Sequence, residues 1–202
     1  MRSQAFRATT LAIVASDLPT SSHYIGTQQT IPTCRTISGD LGWPGVDDWD
    51  ILNKTVNGRL IKTVPIIAPC HELFSGPGVN VSVYNESRCA VLRDRWYLPE
   101  THISYPSSPM AYPITNNSCS PFTEPDVPCT MGYYVAYTIN ATDASAVQEA
   151  LRFAREHNTR LVNRNSGHDY LGKSTGAYDL EVWVHHMKSI SLIKNYSNFG
   201  YR

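Results

Sequence analysis

The sequence predicts an α+β fold, and three observations carry that expectation. A strand-like run, an amphipathic helix and a second strand-like run follow one another between Tyr133 and Arg164. A glycine-bearing loop then precedes another alternating run at Leu180–His185. Ahead of these lies a front half rich in Pro, Ser, Asn and Cys, with only short patches of pattern. Strand, helix, strand, loop, strand is the order in which nucleotide-binding domains begin.

Val46 to Leu60 reads as a helix, because Trp49, Leu52, Val56 and Leu60 recur three or four residues apart. Leu60 to Ala68 reads as extended, and Pro65 confines it to a sheet edge or an irregular path. Pro99 to Pro128 is dense in proline and reads mostly as loop. Residues 17–128 are therefore expected to form a disulfide-pinned extension against a larger body, residues 129–202. Tyr133 to Ile139 is apolar and aromatic enough for a strand. Thr142 or Asp143 caps a helix reaching His157, by accepting a bond from a free first-turn amide. Val147, Ala150, Leu151 and Ala154 fall at i, i+3, i+4 and i+7 and predict its buried face. Asn158 stops it. Arg160 to Arg164 is the next strand. Beyond the loop, Leu180, Val182 and Val184 alternate with Glu181 and Trp183, as in a half-buried strand. Ser189 to Ile193 reads as one more. A right-handed crossover is expected between the first two strands if they run parallel.

The chain has 202 residues, enough for one domain or two small ones. Its 17 basic and 17 acidic side chains balance, and no basic stripe points to nucleic acid. No apolar run is long enough to span a bilayer. Residues 1–16 resemble a secretory signal: Arg2 and Arg7 precede the short apolar run Leu11–Ala15, and Ser16 offers a small residue at a cleavage site. Sequons for N-glycosylation occur at Asn53, Asn80, Asn85, Asn116, Asn140 and Asn195, a high density for a cytosolic chain. A secreted or vesicular protein is expected. Cysteines at 34, 70, 89, 119 and 129 lack paired C-x-x-C spacing, so disulfides explain them better than zinc, with one thiol left over. Connectivity is open. Cys70-His71 and the pair His185-His186 invite a metal reading, but neighbours in a strand point to opposite faces, so the two histidines should not chelate one ion.

The loop Asn163-Arg-Asn-Ser-Gly-His-Asp-Tyr-Leu-Gly-Lys-Ser-Thr-Gly176 concentrates the functional signal. Glycine lacks a Cβ, so its amide approaches a phosphate closely and tolerates positive φ. Gly167 to Ser174 also matches G-x-x-x-x-G-K-[ST], the phosphate loop of nucleoside triphosphatases. That motif needs a helix directly after it, and here the chain continues into loop and then strand.

The same segment closely resembles the pyrophosphate loop of fungal FAD-linked oxidases of the berberine-bridge-enzyme type, within the vanillyl-alcohol-oxidase (PCMH-type FAD-binding) family. The resemblance extends to Cys129–Asn140, Asp143–His157, Val182–Lys188, Gly39–Pro44, Leu52–Ile61 and Pro106–Met110, and so covers most of residues 34–200. It implies the first half of a PCMH-type FAD-binding domain. It implies that His168 bonds covalently to the flavin 8α-methyl carbon, and that Arg164, Asn165, Ser166, Gly167, Asp169, Leu171, Gly172 and Lys173 belong to the cofactor-binding segment. Lys173 is either a phosphate ligand or a solvated loop lysine. The implied activity is hydride transfer from a small organic substrate to FAD, with oxygen as the final acceptor or, in a dehydrogenase, another carrier. Family members continue past Arg202 with the rest of the flavin domain, a substrate domain and the catalytic side chains. No catalytic residue is therefore assigned in this chain, which is expected to be truncated and to hold flavin weakly or not at all alone. The competing expectation is a secreted, disulfide-bonded binding module without catalysis, which leaves the loop and its histidine unexplained.

Overall fold

In the computed structural model, residues 34–110 and 112–194 are described. The sequence-predicted segments 1–16 and Asn195 lie outside them. The first helix, α1 (Val46–Thr55), opens where the Asp48 carboxylate accepts the Gly45 N–H at 2.9 Å. Its apolar stripe buries Trp49 and Leu52. It stops five residues earlier than the periodicity predicts. Asn57 and Gly58 take φ of 57° and 74°, and the Asn53 carboxamide accepts the Leu60 N–H, so the chain reverses into strand β1 (Leu60–Lys62). A helical stripe that includes Leu60 was a coincidence of spacing across a turn.

A second group of elements follows: the hairpin β2 (Leu73–Gly76) and β3 (Val79–Ser82), then helix α2 (Glu86–Asp94) and the short helix α3 (Pro99–Ile103). The stretch from Pro99 to Pro128 is mostly loop, as its prolines predict, with α3 and one 3-10 turn at Tyr112–Thr115. Strand β4 (Cys129–Thr130) joins β2 in parallel, giving the three-stranded order β3-β2-β4. Disulfides Cys70–Cys89 and Cys119–Cys129 cross this region, and Cys34 is the unpaired, exposed thiol. Phe74, Ile67, Trp96, Met131 and Tyr134 form its core around both bridges.

Strand β5 (Tyr137–Asn140), helix α4 (Ala144–Glu156), strand β6 (Leu161–Arg164) and strand β7 (Leu180–Trp183) complete the described elements. The larger sheet has the order β1-β5-β7-β6, with β1 antiparallel and the other three mutually parallel. Strand β1 is an edge strand that ends at Lys62, so the extended run expected to reach Ala68 is shorter, and Pro65 lies beyond the ladder ahead of a 3-10 turn at Ala68–Cys70. The first two predicted strands are parallel but not adjacent, because β7 lies between them.

Helix α4 begins at Asp143, whose carboxylate accepts the Ala146 N–H at 2.9 Å, and its end is turned by Asn158 at φ 53°. Its buried face is Ala146, Ala150, Phe153 and Ala154, while Leu151 is 54% exposed. The expectation for Leu151 fails because Phe153 packs on Trp49 at 4.8 Å between ring centres, and an aromatic pair buries more apolar surface than leucine at that contact. Trp49 also stacks on Tyr137 at 4.1 Å, locking α1 and α4 onto the sheet.

Strand β7 is not half-buried: all four of its residues are buried, because β5 and β6 flank it and both faces are covered. Ser189 to Ile193 forms no strand; Ile190 is 98% and Leu192 85% exposed.

Candidate functional site

The parallel strands β5, β7 and β6 finish on one edge, where Asn140 and Arg164 both pair with Trp183. Ligands of open α/β sheets gather outside such strand ends. The loop from Asn165 to Asp179 leaves from that edge and returns to β7. No helix follows it, so the triphosphatase reading fails on the structure as well.

Two internal anchors shape the loop. The Asp169 carboxylate accepts three backbone amides: Leu171 at 3.1 Å and Lys173 at 2.8 Å on Oδ1, and Ser174 at 3.1 Å on Oδ2. Partial burial alone would raise this carboxyl, yet the donors on Ser174, Lys173 and Leu171 outweigh it and hold the group below its ordinary range. Gly172, at φ 71°, makes the turn inside this wrap.

Arg164 is the second anchor. It is fully buried, and its Nη2 donates to the carbonyls of Ser108 at 2.6 Å and His102 at 3.0 Å. Burial pulls the guanidinium down, and Glu181 and Asp169 oppose that shift. Glu181, on β7, is also fully buried and accepts from the Thr138 hydroxyl at 3.2 Å and the Ser107 N–H at 3.3 Å. Burial pushes its carboxyl up to about 7 against the pull of Arg164, Thr138 and Ser107. His102 is bonded at both ring nitrogens: Nε2 lies 2.6 Å from the Trp96 carbonyl and Nδ1 2.9 Å from the Ser108 hydroxyl, and burial lowers its proton affinity.

Gly167 sits directly on this platform at φ 70°, and a Cβ there would collide with the Arg164 guanidinium. The underside of the loop, between Ile114, Arg164, Gly167 and Thr175, leaves no room for a water molecule. A ligand must therefore approach from outside. His168 is exposed on that side, its ring edge-on to Tyr170 at 6.0 Å. The base of the loop is tied by the Arg160–Asp179 ion pair and by the Trp183 indole N–H donating to the Asn165 carbonyl at 3.1 Å.

The sequence-predicted residues thus divide. Arg164 to His168 converge on the strand edge, and the amides of Asn165, Ser166, Gly167 and His168 have no partner among the described residues. The amides of Leu171 and Lys173 are engaged by Asp169. The Lys173 side chain has no ion pair among the described residues. Free amides beside a glycine, with a buried cation beneath them, fit an anionic ligand such as a diphosphate. No cluster of three metal-ligating side chains exists among the described residues. His185 and His186 lie in a turn after β7 rather than in a strand, with His186 bonded to Asn140 at 2.8 Å and His185 stacked on Trp183. Glu181, His102 and Ser107 escaped sequence reading. A glutamate inside Leu-Glu-Val-Trp was the available signal, but its partner is known only from the strand register.

No family model matches the chain. A VAO-type flavoprotein oxidase, VAO615, of Thermothelomyces thermophilus is 45% identical over 166 residues, covering 82% of this chain and 28% of the relative. The bifunctional decalin synthase calF of Penicillium decumbens is 41% identical over 169 residues, 84% of this chain and 28% of that protein. The FAD-linked oxidoreductase sor8 of Hypocrea jecorina is 37% identical over 98% of this chain and 33% of its own length. The crystal structure of the VAO-type flavoprotein MtVAO615 from Myceliophthora thermophila superposes with a TM-score of 0.74 at 44% identity, over 84% of this chain and 30% of that one. The chain spans about 28% of the first two relatives, and the strand-edge loop described above lies in a chain of their fold. By sequence and by fold the chain is homologous to a segment, about 28–33% of the length, of fungal VAO-type, FAD-linked oxidoreductases.

Proposed function

We propose that this chain supplies the flavin-linking loop of an FAD-dependent oxidoreductase that oxidises a small organic substrate, with oxygen as electron acceptor. The exposed His168, held outward on a loop whose inner face is closed, is the observation that carries the reading. FAD, when bound, supplies the hydride acceptor. The chain's own residues do the rest of the work assigned here. The free amides of residues 165–168 would hold the diphosphate, Gly167 would permit their close approach, and the His168 imidazole would be the side chain through which the flavin is attached. Substrate-binding and catalytic side chains are assigned to none of the described residues. The apolar cavity of about 180 Å³ lined by Trp43, Lys62, Phe74 and Tyr137 shares no residue with the loop. The two disulfides and the exposed sequons support a secretory route.

The test grafts residues 34–194 in place of the matching segment of the Thermothelomyces oxidase, with and without His168→Ala. The unmodified graft is expected to keep a yellow flavin through denaturation, mapped by mass spectrometry to the peptide containing His168. The alanine variant should release all of it. A folded graft with no bound flavin, or with flavin on another side chain, would overturn the reading.

A further inference from the structure

The six sequons look alike in sequence and differ sharply in the fold. Asn80 lies on β3, exposed, with Ser82 two residues on and therefore on the same outward face. Asn85 caps α2: its Oδ1 accepts the Arg88 N–H and the Ser87 hydroxyl, both at 2.9 Å. That bonding uses only the oxygen of an exposed carboxamide, so substitution at Nδ2 leaves the cap intact. Asn116 stands exposed in a turn at φ 64°. All three asparagines are exposed.

Asn53 and Asn140 are placed otherwise. Asn53 is half-buried within α1, its Oδ1 accepts the Leu60 N–H, and the hydroxyl of its sequon partner Thr55 donates back to the Ile51 carbonyl at 2.9 Å. Its carboxamide closes the reversal from α1 into β1. Asn140 ends β5, an interior strand of the larger sheet, between the fully buried Ile139 and Ala141, and its Oδ1 meets His186 Nδ1 at 2.8 Å. His186 in turn packs on Trp183 at 4.6 Å. Asn140 is only half-exposed, and a sugar on its Nδ2 would crowd the His186 ring that its own carboxamide already bonds.

We infer that the folded chain carries N-linked glycans at Asn80, Asn85 and Asn116 and none at Asn53 or Asn140. The chemistry is an amide-linked N-acetylglucosamine stem on the Nδ2 of each exposed asparagine. One consequence is protective. Strand β3 is an edge strand, Val81 beside Asn80 is 41% exposed, and a glycan there blocks edge-to-edge pairing with another chain. The other is permissive, since the strand edge bearing Asn140 and the loop stays clear of sugar. The inference rests on the secretory route and is independent of the flavin reading.

The test expresses the full chain behind a heterologous leader in a eukaryotic host and analyses both secreted and retained protein. Enzymatic deglycosylation in heavy-oxygen water, followed by peptide mass mapping, marks each occupied asparagine. Asn80, Asn85 and Asn116 are expected to be marked in the soluble, disulfide-bonded fraction. Asn80→Gln, Asn85→Gln and Asn116→Gln should each remove one glycan-sized step in gel mobility, whereas Asn53→Gln and Asn140→Gln should remove none. Mobility is read on total protein, so a variant that misfolds still reports. Occupancy of Asn53 or Asn140 in the soluble fraction overturns the inference. So does an absence of sugar at all three exposed sites while a control glycoprotein in the same cells is modified.

Discussion

Arg164 and Asp169 bear the load of the loop in different ways. Asp169 acts locally, as an internal anion for three amides. Asp169→Ala should speed hydrogen exchange at Leu171, Lys173 and Ser174 by about 10-fold or more, the equivalent of ~1.4 kcal/mol of local opening. Exchange in α4 should not change, and unaltered protection at those three amides would refute the role. Arg164 acts across the molecule, because the carbonyls it meets belong to residues 102–108. Arg164→Met leaves those carbonyls and Glu181 without their cation, and a loss of about 3 kcal/mol in denaturant unfolding is expected. Glu181 makes that platform sensitive to pH. Its carboxyl is raised from 4.5 in the unfolded chain to about 7 in the fold, so the folded state binds its proton more tightly. Stability from this group is complete below pH 4.5 and is lost as pH rises through 7. Glu181→Gln should flatten the decline in stability between pH 5 and 8; an unchanged slope would show that another group causes it.

At the scale of elements, the disulfides matter more than the short strands they border. Cys119–Cys129 closes a separation of 10 residues and Cys70–Cys89 one of 19, each worth roughly 3 kcal/mol by chain-entropy arithmetic. Strand β4 has two residues and α3 five, too few to hold themselves together. Reduction should therefore unfold residues 69–131 at a lower denaturant concentration than the α1–α4 face of the larger sheet. Tryptophan fluorescence separates the two regions in variants that keep a single indole, Trp96 on one side or Trp49 on the other, with the remaining tryptophans replaced by Phe. A single coincident transition after reduction would count against that division. Helix α4 needs no such help, with a capped start at Asp143 and a left-handed stop at Asn158. Both ends were legible, because a capping carboxylate and a left-handed asparagine are chosen by their own backbone. The end of α1 was not legible, because an apolar Leu60 fits a helical stripe and a β-edge equally well.

Across the whole molecule, the larger sheet draws β1 from the cysteine-rich front half and pairs it with β5. Residues 102–108 likewise reach the loop through Arg164. The two halves that composition separates at Cys129 are thus interleaved in the fold. Local chemistry determined a good deal: the strand, helix, strand order, the glycines at φ 70° and 71°, the odd cysteine and the histidine in the loop all follow from side chains acting on their own backbone. Tertiary structure alone decided which cysteines pair, that β7 lies between β5 and β6 with a buried glutamate, that Phe153 rather than Leu151 faces the core, and that Asp169 takes amides otherwise open to a ligand. Each of these depends on groups distant in sequence or on a face covered from both sides. Periodicity reports which side of an element is apolar, but only packing determines what lies against it.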